Sequence, residues 1–225
     1  MLNGQRVAAI LVAAGASRRM GFDKLSYAFD GKTVLQHSVQ ALAGHPYVDE
    51  VVAAASAANE AAVQAALAAQ AKPWRVVRGG ETRAQSVANC LAATDAALVA
   101  IHDAARPFVT PQLISRALIL PGDGRGGARG ARKGHRKARR AKRPCAGDAC
   151  AHDAVCRTPQ CFQTTLYRRA LAGRDMRDVT TTAAFRAGGP ARAAGGGRGA
   201  NRKITTRKTC PHMQRRRRHA RGPRL

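Results

Sequence analysis

The chain has 225 residues and a mass of 23.8 kDa, enough for one domain with a sizeable core, or one domain and a small arm. No stretch approaches the ~20 apolar residues a membrane span needs, and the short run Val7–Ala14 leads into Gly15-Ala16-Ser17-Arg18-Arg19, unlike a secretory leader. A net charge of +26 would ordinarily point to nucleic acid, but residues 1–115 carry 10 Lys+Arg against 8 Asp+Glu, while residues 116–225 carry 29 against 5.

In chain order, the apolar run Val7–Val12 predicts a buried strand that feeds a loop at Gly15. Thr33–Ala43 predicts a helix, with Val34, Leu35, Ser38, Val39 and Leu42 on one side. Val48–Ala54 predicts a second strand, Asn59–Ala71 an Ala-rich helix, and Trp74–Val77 a third strand closed by Gly79-Gly80. A helix is expected over Thr82–Ala93, a fourth strand over Ala97–Ile101, and a further helix from Pro111 through Leu118. Strands alternating with helices predict an α/β fold around a mostly parallel sheet. Ligands of such sheets sit beyond the carboxyl ends of the strands, so segments 13–24, 79–86 and 102–107 are where chemistry is expected.

The first segment, Ala13-Ala14-Gly15-Ala16-Ser17-Arg18-Arg19-Met20-Gly21 with Lys24 beyond it, has small residues whose amides can approach a polyphosphate, with Arg19 and Lys24 adding positive charge. Its spacing is neither G-x-G-x-x-G nor a Walker A loop. A plain strand-to-helix turn with solvated arginines is the competing reading. The second, Gly79-Gly80-Glu81-Thr82-Arg83-Ala84-Gln85-Ser86, has two glycines that could let backbone lie against a base, or it is a turn with Thr82 as helix N-cap. The third, His102-Asp103-Ala104-Ala105-Arg106-Pro107, places a carboxylate at a strand end, suited to Mg²⁺ bridging phosphates. His102 is expected to be structural, because transfer to an anionic phosphate needs no proton removed.

These three motifs, in this order and spacing, resemble those of the 2-C-methyl-D-erythritol 4-phosphate cytidylyltransferases, continuously over about residues 5–120. The resemblance implies a Rossmann-like, GT-A-type nucleotidyltransferase fold and transfer of CMP from CTP to methylerythritol phosphate, with Mg²⁺ as cofactor. It implies that Ala13, Ala14, Gly15, Ala16 and Ser17 wrap the triphosphate and that Arg19 and Lys24 stabilise the transition state. Gly80, Arg83 and Ser86 would recognise cytidine, with Glu81 where Asp is commoner. Asp103 and Ala104 would lie on the CTP side, Asp103 holding the metal, and Arg106 would support the site. The related ribitol 5-phosphate cytidylyltransferases share the CTP half and are the nearest alternative. The family also implies a cytoplasmic homodimer.

Beyond about Leu120 the likeness breaks into islands: Thr158-Pro159-Gln160-Cys161-Phe162, Asp178-Val179-Thr180 and Asn201-Arg202-Lys203-Ile204-Thr205. Thr180 and Lys203 match acceptor-binding positions of the family. The expected organisation is a CTP-binding core over 1–120, a basic segment over 121–154 replacing the family's dimerisation arm, and a partly matching substrate-side segment with a basic tail over 155–225. Read one base out of frame, Gly134–Arg139 permits D-T-V-K-R; read two bases out, Thr206–Cys210 permits P-E-D-L. Both are family motifs at about the expected places. The basic, disrupted C-terminal half is therefore expected to reflect frameshifts in a GC-rich gene, near codons 120, 155, 181 and 206. The alternative is a genuine nucleic-acid-binding tail, with runs such as Arg215–Arg218 binding phosphates by charge. No interleaved aromatics or recognisable module accompany them. Cys145, Cys150, Cys156 and Cys161, with His152 among them, lack the C-x2-C spacing of zinc sites, so free thiols are expected, as for Cys210.

Overall fold

The computed structural model describes residues 1–15, 23–119, 159–172 and Lys203. The basic segment 121–154, the basic tail, and the island carrying Thr180 lie outside these residues, as do Cys145, Cys150, His152, Cys156 and Cys210.

Four strands form the parallel part of the sheet: β1 (Val7–Val12), β4 (Glu50–Ala55), β5 (Trp74–Arg78) and β6 (Leu98–Asp103). A short antiparallel pair, β2 (Ala28–Phe29) and β3 (Lys32–Thr33), lies between β1 and β4 in sequence. The last strand, β7 (Gln160–Gln163), runs antiparallel to β6, giving the order β5-β4-β1-β6-β7. The helices are α1 (Val34–Ala43), α2 (Glu60–Ala68), α3 (Arg83–Ala92), α4 (Pro111–Ile119) and α5 (Thr164–Leu171).

β1 occupies the middle of the sheet and is apolar on both faces because both faces are covered. Val7, Ala9 and Leu11 pack with Leu35 and Val39 of α1, Val63 and Leu67 of α2, and Ile114 and Leu118 of α4. Ala8 and Ile10 pack on the other face with Val87 and Leu91 of α3 and Tyr167 and Leu171 of α5. Each fully buried Leu or Ile contributes about 1.5–3 kcal/mol relative to exposure. The sheet thus has a double core, and the loops that follow its parallel strands all lie at one end.

Element bounds shift slightly from the sequence expectation. Thr33 and Thr82 cap their helices from outside, each through a capping box with a glutamine three residues on, Gln36 and Gln85. The fourth strand runs on through His102 and Asp103, carrying the motif into the sheet instead of leaving it in a loop. The β2–β3 pair turns through Asp30 and Gly31, both at positive φ (48° and 76°), a tight hairpin that favours Asp-Gly. Cys161, the last of the cysteine series, is buried in β7, and it and Cys90 are free thiols. Among the described residues, no helix is long and apolar enough to cross a membrane.

Candidate active site

At the carboxyl ends of β1, β5 and β6, three chain segments surround a cleft of about 240 Å³. Val12, Ala13, Ala14 and Gly15 form one wall, and Gly80, Glu81, Thr82, Arg83 and Ser86 another. Lys24, Leu25, Asp103, Ala105 and Lys203 complete it. Of the residues expected from sequence, Ala13, Ala14, Gly15, Lys24, Gly80, Arg83, Ser86, Asp103 and Lys203 are brought together here. Ala104 and Arg106 lie behind the wall: Ala104 is fully buried, and Arg106 reaches the site through Asp103. Ala16, Ser17, Arg19 and Thr180 lie outside the described residues.

The first wall is held by strand-like pairing and by one side chain. The Ala13 amide donates to the Ala54 carbonyl at 2.9 Å, continuing the β1–β4 ladder. Asn59 stands at the N-cap of α2 yet makes no side-chain cap bond. Its amide nitrogen instead donates to the Ala13 carbonyl at 3.0 Å, while its oxygen accepts from the Ser56 amide at 2.8 Å and the Ser56 hydroxyl at 2.9 Å. Gly79 is required where the two walls meet. A Cβ there would lie 2.1 Å from the Ala14 Cβ, which no side-chain adjustment of an alanine relieves. The Lys24 ammonium sits above the first wall, 3.9 Å from where a Cβ on Gly15 would be.

The second wall is braced from α3. Ser86 is almost fully buried; its Oγ accepts the Gly80 amide at 3.1 Å and donates to the Thr82 carbonyl at 3.0 Å. Ser86 therefore shapes the Gly80 backbone as well as lining the cleft, and Thr82 is the N-cap that its alternative reading anticipated.

Asp103 is the electrostatic centre. Its Oδ1 accepts from Arg83 Nε at 3.0 Å, and the Arg83 Nη2 lies 2.9 Å away. Its Oδ2 accepts from Arg106 Nε at 3.2 Å and from Lys203 Nζ at 3.1 Å. Burial alone would raise the Asp103 pKa, but the Arg83, Lys203 and Arg106 charges outweigh it and hold the carboxyl far below the usual range. Among the described residues, no group of three or more His, Cys, Asp or Glu side chains comes together. The cleft instead gathers cations, which suits an anionic ligand.

His102 is fully buried beside this centre, and its Nε2 donates to the Arg106 carbonyl at 3.1 Å. Desolvation is the main cause that lowers its pKa to about 4, against the raising effects of the Asp103 charge and the Arg106 carbonyl. A neutral imidazole with its N–H committed to backbone is a structural group, as expected from sequence. The unfolded chain takes up a proton near pH 6.5 that folded His102 accepts only near pH 4. Stability should therefore fall on acidification through that window, by up to about 3 kcal/mol; His45, also lowered by burial, acts in the same direction. Urea titrations at steps between pH 7 and 4.5 check this, and a flat profile would contradict it.

A mostly parallel α/β sheet whose strand-end loops frame a cationic cleft is a Rossmann-like architecture suited to an anionic ligand. The family model for 2-C-methyl-D-erythritol 4-phosphate cytidylyltransferase (IspD) matches residues 7–211, and the chain belongs to this family. The bifunctional IspD/IspF enzyme of Anaeromyxobacter dehalogenans is 44% identical over 116 residues, covering 52% of this chain and 30% of its own. The 2-C-methyl-D-erythritol 4-phosphate cytidylyltransferase of Deinococcus radiodurans is 36% identical over 180 residues, covering 79% of this chain and 73% of its own. The crystal structure of the Thermus thermophilus cytidylyltransferase superposes with a TM-score of 0.56 at 27% identity, covering 92% of this chain and 94% of that one. The first curated relatives are matched over only 30% to 51% of their own lengths.

The sequence reading missed Leu25, Ala105 and the bracing role of Asn59. Asn59 carries a usable signal, since an Asn at a helix start after a strand end has amide groups within reach of the neighbouring loop. The meeting of Lys203 with Asp103 across 100 residues has no local signal at all.

Proposed function

We propose that the protein transfers CMP from CTP to 2-C-methyl-D-erythritol 4-phosphate, releasing pyrophosphate and forming 4-diphosphocytidyl-2-C-methyl-D-erythritol. The observation that supports this most is the gathering of Lys24, Arg83 and Lys203 around one cleft, in a chain whose family match includes all three positions. In the proposed reaction an acceptor phosphate oxygen attacks the α-phosphorus of CTP. The bond from that phosphorus to the α–β bridging oxygen breaks, and its electron pair leaves with pyrophosphate. The attacking oxygen is already anionic, so no base is needed, which agrees with the buried, neutral state of His102.

On this reading Ala14 and Gly15, with Ala16 and Ser17, offer backbone to the triphosphate, Ala13 anchors that loop through the Ala54 carbonyl and Asn59, and Lys24 and Arg19 neutralise charge growing at the α-phosphoryl group. Gly80, Arg83 and Ser86 form the cytidine side. Arg106, Thr180 and Lys203 serve the acceptor side, Arg106 through its hold on Asp103. Ala104, whose side chain is buried and whose amide donates to the Val12 carbonyl, serves the CTP side by holding the turn beside Asp103. A cytoplasmic homodimer is part of the same proposal.

Mg²⁺ is the proposed cofactor, with Asp103 as its protein ligand. The donor chemistry fits: the carboxylate is a hard oxygen donor on the cleft wall, and Mg²⁺ keeps much of its shell as water and phosphate oxygens. Bound there, the ion would neutralise charge on the phosphate oxygens. Because Arg83, Arg106 and Lys203 already surround the carboxylate, its affinity for a bare cation should be weak until phosphates add negative charge.

A pyrophosphate-release assay with CTP tests the proposal, with methylerythritol phosphate and ribitol 5-phosphate as competing acceptors. Release dependent on methylerythritol phosphate is expected. Preference for ribitol 5-phosphate would overturn the choice of acceptor. Release with neither, together with salt-dependent DNA binding by the full chain, would overturn the enzyme reading.

A further inference from the structure

We propose that Ser38, on the buried side of α1, is a positioning residue for the Asp103 turn; this rests on the cytidylyl-transfer reading above. Ser38 has no exposed surface, and its Oγ donates to the Ala104 carbonyl at 2.7 Å, between residues 66 apart in sequence. Its helical neighbours on the same side, Val34, Leu35, Val39 and Leu42, are all apolar and buried. A hydroxyl at such a place is costly unless it is bonded. A mid-helix serine commonly satisfies itself on its own helix, whereas this one bonds to the motif that follows β6.

That contact completes the anchoring of a four-residue turn. The Ala104 amide donates to the Val12 carbonyl at 3.0 Å, and the Arg106 amide to the Asp103 carbonyl at 3.0 Å. His102 Nε2 holds the Arg106 carbonyl at 3.1 Å. Ser38 takes the Ala104 carbonyl, and the next residue, Ala105, lines the cleft. One peptide unit therefore ties the buried hydroxyl to the cleft wall. Its orientation sets the direction in which the Asp103 carboxylate meets Arg83, Arg106 and Lys203. Losing the hydroxyl frees that peptide to rotate and moves the charge centre relative to the reacting phosphates.

The test compares Ser38→Ala with the conservative Ser38→Thr and with Thr94→Val. Thr94→Val removes another buried hydrogen bond, from the Thr94 hydroxyl to Glu50 at 2.6 Å, near the opposite end of the sheet. At a temperature where all variants are folded, Ser38→Ala should lower kcat/KM about tenfold or more, since small misplacements near reacting groups are costly. Ser38→Thr should recover most of it, and Thr94→Val should lower Tm without touching kcat/KM. Amide hydrogen exchange at Ala104 and Arg106, which needs no turnover, should quicken in Ser38→Ala and not in Thr94→Val. If Ser38→Ala does not fold, Ser38→Cys, with its weaker donor, takes its place and should show the same two changes to a smaller degree. Unchanged kcat/KM and unchanged exchange at those amides would overturn the proposal. If the wild-type chain itself shows no transfer, the proposed function falls, and the exchange comparison alone decides whether Ser38 holds the turn.

Discussion

Lys24→Ala is expected to cut turnover by about 10²–10³-fold, the usual effect of removing one group that meets charge developing in a transition state. The Lys24 ammonium stands above Gly15 on the cleft wall and belongs to no core cluster. Its loss should therefore weigh far more on turnover than on stability. Steady-state pyrophosphate release, measured beside a thermal melt, separates the two effects. A variant with near-normal turnover would sink the role assigned to Lys24, and one that no longer melts cooperatively would show that the side chain supports the fold.

Asp103→Asn keeps the shape of the side chain and removes the charge that Arg83, Arg106 and Lys203 share. Removing one partner of a buried ion pair typically costs 3–5 kcal/mol. Arg83 and Lys203 keep 33% and 38% of their side-chain surface exposed, so solvent screening should bring the loss to about 2–3 kcal/mol. The sign with pH follows from the depressed carboxyl. The stabilisation is fully present above the ordinary aspartate value of about 3.9 and is lost only as pH falls below it. The difference between wild type and variant should thus be constant from pH 7 to about 5 and shrink in stronger acid. The same variant should need much more Mg²⁺ for half-maximal activity; an unchanged metal response would remove Asp103 as the ligand.

The parallel sheet was legible because β1, β4 and β6 are apolar on both faces, so that short apolar runs separated by helical periodicity admit few arrangements. The site was legible for the same reason: once the strands are placed, the segments after β1, β5 and β6 must meet at one end. Helix starts were off by one residue at Thr33 and Thr82, since a cap residue shares the polarity of the turn before it and of the helix after it. The β2–β3 hairpin, with two residues per strand, is too short to show alternation. β7 and α5 went unread because Gln160-Cys161-Phe162-Gln163 has no period of its own; it becomes a strand by pairing with β6. Ser38 was placed on the buried side of its helix, yet only the folded chain reveals that its hydroxyl points at Ala104.

β7 has a consequence in time. It closes the β6 side of the sheet, but residues 120–159 must be synthesised after α4 before it can dock. At 5–20 residues per second that takes roughly 2–8 s. Throughout that interval the nascent chain holds β1, β4, β5 and β6 with the rim of β6 unpaired, a surface on which other chains can add strands. The thermodynamic cost of a longer connection is slight, about 0.6 kcal/mol for each doubling. The edge that β7 covers is thus set by the order of synthesis as much as by the strength of its pairing with β6.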